Sequence, residues 1–194
     1  MNLSYPLARL LGSLAESEAA ALHVPMTIAI VDREGGLLFF GRMDGALPAS
    51  IELAASKAFT AACLRMATDE VGRQAQPGGT LYGIQHTHPG KIVLFGGGLP
   101  LRLSGSVCGA IGVSGGTVEQ DIQVARPVVD ALEEMENWSG FIKGLLPAGY
   151  VERERTIGLE LRLRYAFEHV SQPVSSRTCS VLAGAIILAA DEET

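Results

Sequence analysis

Aromatic side chains are scarce in this chain, at 6% of 194 residues. A core with so few rings has to be filled by aliphatic and small residues, and Gly, Ala, Val, Ile and Leu are abundant here. Hydrophobic residues make up 47% of the chain, enough for a sizeable core. Small side chains let backbones approach, so close helix–sheet contacts are expected. Cysteine is scarce too: Cys63, Cys108 and Cys179 share no metal-type spacing and form no CxxC pair. They read as reduced, mostly buried thiols of a cytoplasmic protein. No basic run interrupts a net charge of −6, which argues against nucleic-acid binding by bulk electrostatics. Long hydrophobic runs are also missing. The longest, Val181 to Ala190, falls far short of the roughly 20 residues that span a bilayer. Residues 1–25 lack the basic-then-apolar layout of a signal peptide. The expectation is a cytoplasmic protein with neither nucleic acid nor membrane as partner.

What is present reads as alternating local signals. Leu3, Leu7, Leu10 and Leu14 recur at helical spacing and predict a helix over 5–22, with Ser4 as N-cap and Pro6 in its first turn. Residues 26–31 and 37–42 predict two strands joined by the turn Asp32-Arg33-Glu34-Gly35-Gly36. Ser50 reads as the cap of an alanine-rich helix over 51–66. Residues 69–80 read as a loop around Gln76-Pro77-Gly78-Gly79. Strands are predicted over 91–95, 99–103 and 106–113, the last two joined by Ser104-Gly105. Thr117 and Gln120 have capping-box spacing at the head of a further helix. Pro127 predicts a kink or irregular first half in that helix. This order gives an α+β domain with a roughly five-stranded antiparallel sheet flanked by helices. The expected division is a domain over 1–138 and an extension over 139–194. In the extension, alternation over 157–167 favours a strand over a helix, and 175–190 reads as an apolar helix.

Phe95 to Asp121 holds two glycine clusters around an apolar hairpin, followed at once by a helix start. Clustered glycines allow positive φ and close backbone approach, next to unpaired N–H groups that suit an anion or a flat ligand. Gly96 to Gly98 lack GxGxxG spacing, so a dinucleotide site is not supported. Ser114 has no His–Asp pair placed to make it a nucleophile, so a backbone role is favoured.

Five segments in order, IAIVDREGGLLFFGRMDGA (28–46), SKAFTAA (56–62), QPGGTLYGIQ (76–85), FGGGLPL (95–101) and GAIGVSGGTVEQD (109–121), resemble the GlcG/HbpS family. The similarity is greatest to its branch related to the C-terminal domain of PduO-type proteins, and covers about residues 5–136. The resemblance implies a PAS/profilin-like antiparallel sheet flanked by helices. It also implies homo-oligomers, octamers among them, and association with haem, with haem degradation or redox sensing in some members. The corrinoid adenosyltransferase part of PduO-type proteins is not part of the resemblance. Glycerol or propanediol metabolism is implied only by the setting of relatives.

Haem needs an axial donor, an apolar slot and cations for its propionates. The resemblance makes His23, at the junction of the first helix and first strand, the axial candidate. Its residue-level alternative is a plain surface histidine. His86 and His88 would share a face on a strand and could then hold a metal, whereas on a turn they would simply be exposed. Lys57 reads either as a cation for a propionate or carboxylate, or as a partner of Asp32, Asp44 or Asp121, with Thr60 one turn on. Arg42 can hold a carboxylate in two-pronged fashion, whether a ligand's or that of Asp44. Gly97, Gly98 and Ser114 would line the cleft wall. Two other readings stay open. One is an enzyme acting on a small carboxylate-bearing substrate in the same pocket, with Asp32 or Asp44 as acid/base. The other is an accessory or assembly protein whose extension makes partner contacts.

Overall fold

The computed structural model describes residues 3–145, with side chains through residue 135. The chain divides into compact units at Met1–Leu132 and Glu133–Thr194. The strand and helix expected over 157–167 and 175–190 lie outside the described residues.

The first unit opens with α1 (Tyr5–Ala21), started by Ser4, whose hydroxyl accepts the Leu7 N–H at 3.4 Å. The face it buries is led by alanine: Ala8, Leu11, Gly12, Ala15 and Ala19. Leu7 and Leu14 only flank the core. The leucine spacing thus located the helix but lies beside its buried stripe. The hairpin β1 (Thr27–Asp32) and β2 (Leu37–Arg42) follows. Asp32 shapes its turn, its carboxylate accepting Glu34 N–H at 3.0 Å and Gly36 N–H at 2.7 Å. Then come α2 (Ser50–Leu64), α3 (Thr68–Gln74), a 3-10 turn (Ile84–His86), β3 (Gly98–Leu103), β4 (Ser106–Ser114) and α4 (Val118–Leu145).

Among the described residues the sheet has four strands, all antiparallel, in the order β2-β1-β4-β3. The fifth strand expected over 91–95 is absent. That segment runs as irregular chain against α2, where the Thr60 hydroxyl accepts the Val93 N–H at 3.0 Å. Residues 69–74, the first part of the loop expected over 69–80, belong to α3. Ser50 is the first residue of α2 rather than its cap, which is Ala49. Its hydroxyl instead reaches Leu47 O at 2.5 Å and the Thr27 hydroxyl at 2.6 Å. Helix α4 continues through Pro127.

The two faces of the sheet differ in size of side chain. Ile28, Ile30, Leu99, Leu101, Ile111 and Val113 face α1 and α4, whose Leu11, Val124, Val128 and Leu132 complete the main core. The opposite face carries Ala29, Val31 and Ala110 under Ala54, Ala58, Ala61 and Ala62 of α2. Here α2 lies so close that a Cβ on Gly112 would land on the backbone of Ala54 and Ala58. Strand periodicity separates the two sets cleanly, as alternate residues of β1 and β4 point to opposite sides.

At the head of α4 the Thr117 hydroxyl accepts Gln120 N–H at 3.3 Å, and Gln120 Oε1 accepts Thr117 N–H at 2.9 Å. Thr117→Ala is expected to lower the unfolding free energy by about 1 kcal/mol, read as a fall in the urea midpoint. An unchanged midpoint would mean the box contributes nothing.

Candidate functional site

The strand register gathers most of the expected site at one end of the sheet. Thr27 pairs with both Arg42 and Ser114, and Gly98 pairs with Gly112. His23, Arg42, Gly97, Gly98 and Ser114 therefore belong to the end where α1 hands over to β1. His86 and His88 do not. They sit in and just after the 3-10 turn, exposed, so the shared strand face that a metal pair requires does not exist. His88 instead lies with its ring 6.4 Å from that of Phe59. Among the described residues no three His, Cys, Asp or Glu side chains are grouped to hold a metal ion.

Of its two readings, Lys57 takes the ion pair inside the fold and is not presented to a ligand. Its side chain is fully buried, and Nζ donates to Asp121 Oδ2 at 2.6 Å and to Val113 O at 2.9 Å. The ring of Phe95 lies 5.0 Å from the ammonium. Of the three carboxylates weighed from sequence, Asp121 is the partner. Its other oxygen accepts the Gly116 N–H at 3.1 Å, so one carboxylate closes α4 onto β4 and α2. Burial pulls the Lys57 ammonium below its usual range and pushes the Asp121 carboxyl above its own, against the pull of each partner. Thr60 does not point with Lys57. Its one hydroxyl proton is shared between Ser56 O at 2.7 Å and Lys91 O at 2.9 Å.

The glycines of the 95–121 stretch serve this packing. A Cβ on Gly97 would stand 2.7 Å from Lys57 Nζ and 2.7 Å from Val113 O. One on Gly98 would stand 2.5 Å from Lys57 O, and Thr68 straps Gly98 by accepting its N–H at 3.0 Å. Gly97 and Gly98 are thus occupied by α2 and α3 rather than by an open cleft. Ser114 is buried beside them at the end of β4.

His23 and Arg42 are different, for both are exposed. His23 closes α1 in the left-handed conformation, φ 55°, its N–H bonded to Ala20 O at 3.0 Å. Among the described residues its ring makes no hydrogen bond. Two residues on, Pro25 abuts the turn after β2: a Cβ on Gly45 would lie 3.5 Å from Pro25 Cγ. Met43 N–H donates to Met26 O at 3.0 Å and fixes that turn against the start of β1. Arg42 donates from Nη2 to Ala46 O at 2.7 Å, not to Asp44. The guanidinium has five N–H donors, so this leaves others for a ligand anion. Leu47, next along, is 60% exposed. This end thus combines an uncommitted imidazole, a steadied guanidinium and bare apolar surface.

A second feature, which sequence reasoning missed, lies against α2 away from this end. An open pocket of about 430 Å³ is floored by Val31 and walled by Leu37, Phe59 and Gly90, with Glu52 and Lys91 among its lining. Its parts come from three separated segments, the β1–β2 hairpin, α2 and residues 89–91, and no local motif announces it.

Comparison with known proteins gives three consistent findings. The family described as haem degrading protein HbpS-like matches residues 3–130. An uncharacterized 15.0 kDa protein from the dhaT-dhaS intergenic region of Citrobacter freundii is 44% identical over 134 residues, covering 69% of this chain and 94% of that one. The corrinoid adenosyltransferase PduO of the same organism is 42% identical over 132 residues, 68% of this chain, but only 39% of its own length is spanned. Among solved structures, the PduOC:heme complex superposes with a TM-score of 0.64 at 40% identity, covering 67% of this chain and 94% of that one. No described helix is long and apolar enough to cross a membrane.

Proposed function

The chain belongs to the HbpS-like family, and from that premise we propose that it binds haem at the sheet end carrying His23 and Arg42. The observation that carries this reading is the 40% identity to a protein solved as a haem complex. The residues present fit the group. Imidazole is the commonest axial donor to haem iron, and the His23 ring is exposed with both nitrogens uncommitted to any described residue. Bound haem would supply a redox-active iron. His23 would hold it through a ring nitrogen. The N–H groups of Arg42 not engaged by Ala46 would hold a propionate carboxylate. Pro25 and Leu47 would exclude water from the porphyrin edge.

Within this reading the protein stores or hands over haem. The reading includes a homo-oligomer, supported by large apolar side chains left exposed on β2 and about the start of α2, Phe40, Leu47 and Ile51 among them. A tetrapyrrole at a subunit junction would cover such surface.

The test is titration with hemin, followed at the Soret band. A saturable change at one haem per chain is expected, with the spectrum of an imidazole-ligated iron. His23→Ala is expected to weaken binding at least tenfold, which corresponds to about 1.4 kcal/mol, and to remove that spectrum. No saturable change in the native protein would sink the haem reading. An unaltered spectrum in His23→Ala would remove the axial assignment alone.

A further inference from the structure

The pocket on the α2 side has the makings of a second ligand site, independent of the haem reading. Its walls are fixed. The loop forming one side is pinned to α2 by three hydrogen bonds: Ser56 Oγ to Gly90 O at 3.2 Å, Thr60 Oγ1 to Lys91 O at 2.9 Å, and Val93 N–H to Thr60 Oγ1 at 3.0 Å. The opposite side is the β1–β2 hairpin, braced internally by Asp32. Between them Leu37, paired with buried Val31 and facing the same side of the sheet, is 57% exposed and offers apolar surface to the pocket.

Charge is arranged along the pocket's length. Lys91 Nζ sits 5.0 Å from the Phe59 ring centroid and makes no ion pair among the described residues. Glu52, in the first turn of α2, lies seven residues before Phe59. At 1.5 Å per residue this places the two backbone positions about 10 Å apart along the helix axis. A cation therefore stands at one end of the pocket and a carboxylate at the other. Val31, Leu37 and Phe59 give the middle an apolar character.

We propose that this pocket binds a small elongated molecule with a carboxylate at one end, an aliphatic middle and a hydrogen-bond donor at the other. The carboxylate meets Lys91 and the donor meets Glu52. Opposite charges at a fixed separation select for length as well as charge, so a molecule with one matching end binds less well than one with both.

The experiment uses the full chain, isotope-labelled for amide NMR, and three probes: 6-aminohexanoate, hexanoate and hexylamine. With 6-aminohexanoate, saturable shifts are expected at Gly35, Leu37, Ser56, Phe59 and Lys91, and binding is expected to be tighter than for either single-ended probe. Lys91→Met is expected to weaken 6-aminohexanoate about tenfold and to leave hexylamine unchanged. Glu52→Gln is expected to weaken 6-aminohexanoate without weakening hexanoate. Both residues are exposed, so the variants keep the fold, which their unperturbed amide spectra would register. Absence of saturable shifts at these positions overturns the proposal, as does an unaltered affinity of Lys91→Met for 6-aminohexanoate. Hemin binding by Lys91→Met and ligand binding by His23→Ala separate a failure here from a failure of the haem reading.

Discussion

Lys57→Met is expected to lower the unfolding free energy by about 3–5 kcal/mol, measured by urea denaturation. The loss comes less from the missing ion pair than from what is left behind. Without the ammonium, Asp121, 3% exposed, keeps a carboxylate held only by the backbone N–H groups of Gly115 and Gly116, and Val113 O loses a donor inside the structure. Burial already pushes the Asp121 carboxyl up and the Lys57 ammonium down, so each group depends on the other to stay charged. The double variant Lys57→Met/Asp121→Leu is expected to recover most of the loss, because no charge is then stranded. A single variant as stable as the double would show that the pair is not coupled. Since Lys57 is fully buried, hemin binding by folded Lys57→Met is expected to match the native protein.

Gly112→Ala is the second large effect, expected at about 2–3 kcal/mol or more. The added methyl would meet the Ala54 carbonyl and the Ala58 nitrogen, both backbone atoms of one helix. Neither can rotate away, so α2 as a whole must lift from the sheet. Lifting would loosen the contacts of Ala29 and Ala110 with Ala58, Ala61 and Ala62. Gly105→Ala is the control. Gly105 has φ +73° and open space around the added methyl, so its cost is the left-handed conformation alone, about 1 kcal/mol. Equal midpoints for the two variants would remove close approach as the reason for Gly112.

These two residues also show what could be read from the chain. The alanine-rich helix, the glycine-rich hairpin and the close contact between them were legible because composition and spacing act locally. So were the hairpin turn at Ser104–Gly105 and the Thr117–Gln120 box, each closed within a few residues. The choice of Asp121 over Asp32 and Asp44 as the Lys57 partner was not, because 64 residues separate the pair and only the fold brings them together. Residues 91–95 failed for a related reason. Ile92, Val93 and Leu94 have the letters of a strand, but a strand exists only if a neighbour lies alongside, and here the neighbour is a helix. His86 and His88 follow the second of their two readings: the 3-10 turn leaves them exposed, and the strand face that a metal pair requires is not there. At the site end, the position of His23 was legible as a helix-to-strand junction. The steadying of Arg42 by Ala46 O was not, because it depends on how the chain turns after β2.

Thr60 carries a consequence for the segment it holds. Its hydroxyl accepts from Val93 and shares its one proton between the carbonyls of Ser56 and Lys91, so Thr60, with Ser56 beside it on Gly90 O, anchors a segment that no strand holds. The four-stranded frame closes through β1, β4 and β3 without help from residues 76–95. A change at Thr60 therefore reaches residues 91–93, and the pocket wall they form, without touching a strand of the frame.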